Sequence, residues 1–219
     1  HYLRNTYRSF SSVMAGGAIA VFYFTIAFAF HEYQLFTQSA AFIIMIVITA
    51  FAVSLSLLYN KPELAVIATI GGFLAPFMVS TDKGNYIVLF TYLSILNVGI
   101  LCISYFKKWP LLHVLSFFFT LIIYCGWLFE QLIFSSSQLP YKNALLFASI
   151  FYGLFLAITL IHNLRNKIPF KAFQFSLMLL VTFSYYAQGM LILGEWDNGN
   201  YRGIFTMIMS LINLVLAWY

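Results

Sequence analysis

Charged residues are scarce in this chain. They make up 8% of its 219 residues, with 11 Lys and Arg against 6 Asp and Glu. A soluble domain has about 25% charged residues, so this chain could not cover itself with a water-compatible surface. A soluble fold, a coiled coil and a disordered chain are therefore excluded.

Cysteines and catalytic motifs are equally sparse. Cys102 and Cys125 lie inside apolar runs, so we expect buried, reduced thiols rather than a disulfide or a metal site. The chain has no Gly-x-Ser-x-Gly, no phosphate-binding loop, no Asp-rich cluster and no paired histidines. The sequence thus predicts no catalytic, cofactor or metal residues and speaks against an enzyme, although that question stays open.

Apolar residues, in contrast, are abundant. They account for 63% of the chain, which includes 25 Phe and 15 Tyr, and the mean hydropathy is +0.91. The apolar runs are continuous rather than alternating, which favours membrane-spanning helices over a barrel. About 20 such residues cross a bilayer. We count eight spans, at residues 11–30, 39–59, 64–80, 86–106, 111–134, 143–162, 172–193 and 203–218.

The basic residues indicate the orientation of these spans. With eight crossings, eight basic residues share the side of the N-terminus, whereas Lys83, Lys142 and Arg202 lie on the other. The eight are Arg4, Arg8, Lys61, Lys107, Lys108, Arg165, Lys167 and Lys171. By the positive-inside rule, the N-terminal side is cytoplasmic. We therefore predict a multi-pass protein of a bacterial inner membrane.

An internal repeat is visible in two loops. The run Asp-Lys-Gly-Asn-Tyr at residues 82–86 matches Asp-Asn-Gly-Asn-Tyr at residues 197–201, and Thr91 and Thr206 follow at the same distance. We predict two four-helix repeats, residues 1–110 and 111–219. Because each has an even number of spans, the copies would be parallel. The chain starts without Met and ends in an apolar run, so we expect a segment of a longer polypeptide.

One part of the chain resembles a known family. The residues that carry the resemblance are Lys61-Pro62-Glu63-Leu64-Ala65, Gly71-Gly72-Phe73-Leu74-Ala75-Pro76-Phe77, Tyr92, Leu96-Asn97 and Lys108-Trp109. Together with Gly16-Gly17 and Tyr23, they resemble the bacterial membrane-protein family catalogued as domain of unknown function 2339. The resemblance is good over residues 11–130. It implies a long, many-span inner-membrane protein, and it implies no activity, substrate or catalytic residue.

The third span is the first candidate site. It is short and contains Gly71, Gly72 and Pro76. A proline lacks the amide that would bond the carbonyl four residues back, here that of Gly72. A broken helix could offer this carbonyl to a substrate, as in some transporters. Alternatively, the glycines form a small-residue face that lets another helix approach.

Polar residues in other spans are further candidates. Asn97 and Asn213 occupy matching places in the two repeats, and Gln188 lies in a seventh span rich in hydroxyls. Each could contact a substrate or bond to a neighbouring helix. Glu130 lies near the outer end of the fifth span, where it could be functional or simply reach the interface. Asp and Asn in the outer loops could bind a cation, but helix capping explains them as well.

Two functional hypotheses follow from these patterns. The first is a transport or substrate-translocation module, suggested by the duplicated bundle, the third span and the polar seventh. The second is a non-catalytic scaffold in a membrane assembly, suggested by sparse intramembrane charge and small-residue faces. An intramembrane enzyme acting on lipid-linked substrates is a third. The partners expected are the lipid bilayer and other helices of the same longer chain or of a membrane complex, and no nucleic acid.

Overall fold

The computed structural model describes residues 8–79, 85–107, 109–133, 139–166 and 172–218. Several features used above lie outside these ranges. They are residues 82–84 of the first repeated loop and the basic residues Arg4, Lys108, Lys167 and Lys171. The matching loop of the second half, residues 197–201, is described.

The described residues form eight α-helices and one 3₁₀ turn. The helices are α1 (Arg8–His31), α2 (Gln38–Tyr59), α3 (Pro62–Met78), α4 (Tyr86–Phe106), α5 (Pro110–Ile133), α6 (Tyr141–Asn166), α7 (Ala172–Glu195) and α8 (Arg202–Trp218). The 3₁₀ turn, Asp197–Gly199, joins α7 to α8. Each predicted span corresponds to one helix, so the all-α prediction is confirmed for the described chain.

Not every helix is long enough to be a clear membrane span. Among the described residues, six helices have the length and apolar composition to cross a bilayer. The other two, α3 and α8, have 17 residues each. At 1.5 Å per residue each is about 25 Å long, somewhat less than the roughly 30 Å of hydrocarbon. The structure therefore supports a multi-pass membrane protein, and the eight crossings remain a prediction.

The chain divides into two compact units, His1–Ser116 and Phe117–Tyr219. In the first unit, α2 and α3 pack along each other as the closest pair. Helix α1 packs against both of them, and α4 packs on the same two helices. Helix α3 thus contacts α1, α2 and α4.

A tight turn sets α2 beside α3. Asn60 adopts the left-handed conformation (φ 52°, ψ 45°) and its N–H bonds to the carbonyl of Leu57. The N–H of Lys61 bonds to the carbonyl of Ser56 at 3.0 Å. Pro62 then begins α3, at the helix position where a missing N–H costs nothing. The Asn60-Lys61-Pro62 segment is therefore a helical hairpin turn.

In the second unit, α6 and α7 pack along each other and α8 packs against α7. Tyr124 of α5 reaches α6, where its hydroxyl donates to the carbonyl of Ala144 at 2.8 Å. Gly199 has φ 82°, a left-handed conformation that favours glycine, and this allows the chain to reverse between α7 and α8. The Asp-Asn-Gly-Asn segment therefore forms a turn between α7 and α8.

Candidate functional site

The carbonyl of Gly72 is not available to a substrate. Helix α3 continues through Pro76, which is buried. The hydroxyl of Tyr92, on α4, donates to the carbonyl of Gly72 at 2.7 Å. This hydrogen bond replaces the one that the missing amide of Pro76 would have donated. The Gly72 carbonyl is therefore already bonded to a side chain of a neighbouring helix.

The ring of Tyr23 covers the next residue, Gly71. A Cβ atom at Gly71 would overlap the Cε2 and Cδ2 atoms of this ring. The hydroxyl of Tyr23 shares a hydrogen bond of 2.6 Å with the Thr49 hydroxyl and lies 3.4 Å from the carbonyl oxygen of Ala68. Tyr23 is 3% exposed. One tyrosine of α1 therefore joins α1, α2 and α3, and Gly71 is what lets it approach.

Gly72 is packed on a different side. A Cβ atom added there would lie 3.2 Å from the Thr49 side chain and 3.4 Å from Cδ1 of Leu96. Ala68 and Ala75 of the same helix are fully buried. These small residues let α2 and α4 approach α3 closely, which supports the packing interpretation of the third span.

Asn97 and Asn213 have different surroundings, although the sequence places them at matching positions. Asn97 is fully buried in the first unit. Asn213 is half-buried, and its Nδ2 donates to the carbonyl of Met209, one turn earlier in α8, at 2.8 Å. Burial thus distinguishes the two, and Asn213 lines an open groove of its unit.

That groove runs between α7 and α8 and has a volume of about 240 Å³. Its polar lining residues are Thr182, Tyr186, Thr206, Ser210 and Asn213. The Tyr186 and Thr206 hydroxyls lie 3.2 Å apart and link the two helices. We call this surface the α7–α8 groove.

Gln188 belongs to a separate, smaller cavity of the second unit. This cavity has about 30 Å³, which is room for one or two water molecules. Its polar lining residues are Thr120, Tyr124, Tyr152, Ser184, Tyr185 and Gln188. We call it the Gln188 cavity.

Most polar groups of the Gln188 cavity have partners within the protein. The hydroxyl of Tyr185 bonds to that of Ser149 at 2.8 Å, and the Gln188 amide donates to Sγ of Cys125 at 3.5 Å. The rings of Tyr152 and Tyr185 stack with centroids 4.4 Å apart. The Tyr152 hydroxyl is buried and has no hydrogen-bond partner within the described chain. The polar residues of the seventh span therefore line two spaces, the water-sized Gln188 cavity and the larger α7–α8 groove.

Glu130 is exposed, three residues before the C-terminal end of α5 at Ile133. Three residues of helix correspond to about 4.5 Å, so its carboxylate lies at interface depth if α5 crosses a membrane. At the start of α4, Oδ1 of Asn85 accepts the Ile87 N–H at 2.9 Å. The capping interpretation is therefore confirmed at Asn85.

The predicted burial of the two cysteines is wrong. Both cysteines are free, but Cys102 is exposed rather than buried, and Cys125 is intermediate. The prediction failed because Cys102 faces a groove between helices, and an apolar run does not reveal which of its sides is packed. Within the described ranges, no three His, Cys, Asp or Glu side chains come together as a possible metal site.

The tyrosines that complete the third-span site were not identified as functional from the sequence. Tyr23 and Tyr92 were included only among the residues that carry the family resemblance. A physical signal was nevertheless present, because a hydroxyl within an apolar span needs a hydrogen-bond partner. An acceptor freed by Pro76 is such a partner.

Comparisons with known proteins give one match. A family described as "Predicted membrane protein (DUF2339)" matches residues 1–219. No curated protein matches the chain. No solved structure matches it either.

Proposed function

The chain belongs to the DUF2339 family of predicted membrane proteins, and from this premise we propose that it is a non-catalytic scaffold that binds other transmembrane helices. The observation that carries the proposal is the α7–α8 groove. It places hydroxyl and amide groups on a surface that, in a bilayer, meets either lipid or another helix.

The polar residues of α8 share one helix face. Thr206, Ser210 and Asn213 are spaced by four and three residues, so they lie in one row along the helix. Thr206 and Ser210 are exposed and Asn213 is half-buried. An amide has two N–H groups and an oxygen, and the bond to Met209 uses one N–H. The remaining capacity suits a polar or small-residue face of a partner helix.

Few of the apolar side chains of α8 are buried. Phe205 and Met209 are its buried hydrophobic residues in the described chain. The exposed apolar residues are Ile204, Met207, Ile208, Leu211, Leu214 and Val215. A helix with most of its circumference open can take up a neighbour without disturbing its own unit. The partners we propose are helices of the same longer chain or of a membrane complex.

A paired substitution tests the scaffold proposal. Ser210→Ala combined with Asn213→Leu removes two of the three polar side chains of this row and leaves Thr206 in place. Leu211→Ala combined with Leu214→Ala is the control, because it changes α8 without touching the row. Interhelical hydrogen bonds in membranes contribute about 0.6 kcal/mol on average, or about threefold in affinity per bond. We expect the first variant to lose membrane proteins that co-purify with the wild type and the control to keep them.

Two results would contradict the scaffold. One is a wild-type protein that co-purifies with no other helix, tested with cross-linking in the cell before extraction. The other is a partner held equally well by the Ser210 and Asn213 variant and by the wild type.

Transport is the second candidate, and the Gln188 cavity is the observation that favours it. Labelling can test whether water reaches this cavity during function. In a variant without Cys102 and Cys125, Gln188→Cys is treated with a water-soluble thiol reagent. Tyr33→Cys, in an exposed loop, is the positive control, and Leu191→Cys, on the exposed face of α7, is the negative control. Labelling of Gln188→Cys as fast as Tyr33→Cys supports transport, and no labelling contradicts it.

We further propose that the chain crosses a bacterial inner membrane eight times, in two parallel four-helix repeats, with its N-terminal end in the cytoplasm. The uneven distribution of basic residues supports this orientation. A membrane-impermeant thiol reagent added to intact cells should label Tyr33→Cys but not Lys107→Cys. Labelling of Lys107→Cys instead would reverse the topology.

A further inference from the structure

The first unit contains a groove between α2, α3 and α4 with a volume of about 290 Å³. Its lining includes Val53 and Leu57 of α2, Phe73 of α3, and Gly99 and Phe106 of α4. We call it the α2–α4 groove. Cys102, exposed on α4, also lines it.

The groove offers little to a polar ligand. Its three hydroxyl-bearing residues are Thr49, Ser54 and Thr69. Each donates its hydroxyl to a carbonyl one turn earlier in its own helix, at distances of 2.7, 2.8 and 2.8 Å. With these groups engaged, the surface that remains is hydrocarbon apart from the Cys102 thiol, and it suits an acyl chain.

The length of the groove matches one leaflet. Its lining spans residues 46–57 of α2 and residues 95–106 of α4. Eleven residues of helix rise about 17 Å. Half of a hydrocarbon core of roughly 30 Å is about 15 Å. The groove is therefore as long as an extended acyl chain needs to reach from the interface to the midplane.

Basic residues mark one end of the groove. Lys107 directly follows Phe106, the last lining residue of α4, and Lys61 lies four residues after Leu57, the last of α2. An apolar cluster of Ala65, Ile103 and Leu112, with Leu57 and Trp109 packed on it, brings these helix ends together. Both lysines are therefore at the same end of the unit.

The charge at this end is positive. Among the described residues beside these helix ends, Lys61 and Lys107 outnumber Glu63, the acid in the first turn of α3. Tryptophan is typical of the membrane interface, and Trp109 lies here as well. A phosphate at this level would meet cations, and a chain attached to it would enter the groove.

We propose that the α2–α4 groove is a binding site for an anionic glycerophospholipid. One acyl chain fills the groove, and the headgroup phosphate lies against Lys61 and Lys107. This site is in the first unit and does not depend on the scaffold proposal, which rests on α8 of the second.

Two glycine substitutions test the groove. Gly99 lines the groove, and a Cβ atom added there meets nothing within 4 Å in the described chain, so Gly99→Leu should occupy part of the groove. Gly17→Leu is the matched control, since Gly17 on α1 is equally open and lies outside the groove. Both variants are purified in detergent, and bound phosphatidylglycerol is measured by native mass spectrometry. Displacing about two methylenes should weaken binding about tenfold in Gly99→Leu and leave Gly17→Leu unchanged.

The headgroup is tested separately. Wild-type protein should retain phosphatidylglycerol in preference to phosphatidylcholine of the same acyl chains. Lys61→Gln and Lys107→Gln should each reduce that preference by roughly fivefold. Equal retention of the two lipids by the wild type would overturn the proposal, as would equal binding by the two glycine variants.

A third measurement uses the wild-type protein, so it tests the proposal even if Gly99→Leu fails to fold. Phosphatidylglycerol with a photoactivatable acyl chain is added to wild-type protein in vesicles. Cross-links should concentrate in residues 46–57 and 95–106. Cross-links spread evenly over the exposed faces of α1 and α4 would mean ordinary bilayer lipid and would refute the site.

Discussion

The hydroxyl of Tyr92 donates a 2.7 Å hydrogen bond to the carbonyl of Gly72, the oxygen that Pro76 leaves without its amide donor. The proline and the tyrosine lie on different helices and are 16 residues apart in sequence. In a bilayer no water can replace the missing donor, so the tyrosine makes the proline tolerable. The third span is therefore better described as a packed helix than as a broken one.

Tyr92→Phe should destabilise the protein by about 1–3 kcal/mol, because it leaves a buried carbonyl without a donor. Unfolding is measured in detergent by circular dichroism. Tyr33→Phe, at an exposed loop position, is the control and should have little effect.

Pro76→Ala should make the protein less sensitive to Tyr92→Phe. Alanine restores the N–H that can bond the Gly72 carbonyl, so Tyr92→Phe should cost less in the Pro76→Ala background. A double-mutant cycle measures this difference. Additive costs would show that the tyrosine and the proline are not coupled.

Gly71→Ala should destabilise the first unit by about 1–3 kcal/mol, because the added methyl overlaps the Tyr23 ring. Gly17→Ala is the control. Its added methyl meets nothing within 4 Å in the described part of the chain, and alanine is the better helix former. Similar stabilities for the two variants would show that the Tyr23 ring does not pack closely against Gly71.

Thr49→Val and Tyr23→Phe should be coupled by about 0.6 kcal/mol, the average for hydrogen bonds between transmembrane helices. Each substitution removes one side of the 2.6 Å contact between the two hydroxyls. Unfolding of the single and double variants measures the coupling. A coupling near zero would show that this hydrogen bond does not stabilise the packing of α1 against α2.

Gly189→Ala should destabilise the second unit by about 1–3 kcal/mol, because an added Cβ overlaps the buried Phe205 ring. Phe205→Leu should relieve part of that cost in the double variant. Gly203→Ala, open on all sides within the described chain, is the control and should have little effect. If the double variant is no more stable than Gly189→Ala, α7 and α8 do not pack through this pair.

Much of the fold could be read from local patterns. Apolar runs predicted the helices. The turn between α2 and α3 is also encoded locally, because the conformational preferences of Asn60 and Pro62 act within a few residues. Asn85 was recognisable as a cap for the same reason. These features need no knowledge of which helices are neighbours.

The candidate site was less predictable. Gly71, Gly72 and Pro76 were correctly singled out, but the sequence could not say that Tyr23 and Tyr92 cover them. Asn97 and Asn213 looked equivalent and differ in burial. Periodicity identifies which residues share a helix face, and it does not identify what that face meets.

By itself, the sequence determined that this chain is helical and belongs in a membrane, because hydrophobicity and backbone hydrogen bonding act on each segment alone. The tertiary structure decided which polar groups are satisfied and which surfaces stay open. Those outcomes depend on side chains from helices distant in sequence, such as Tyr92 and Gly72, meeting within a few ångströms.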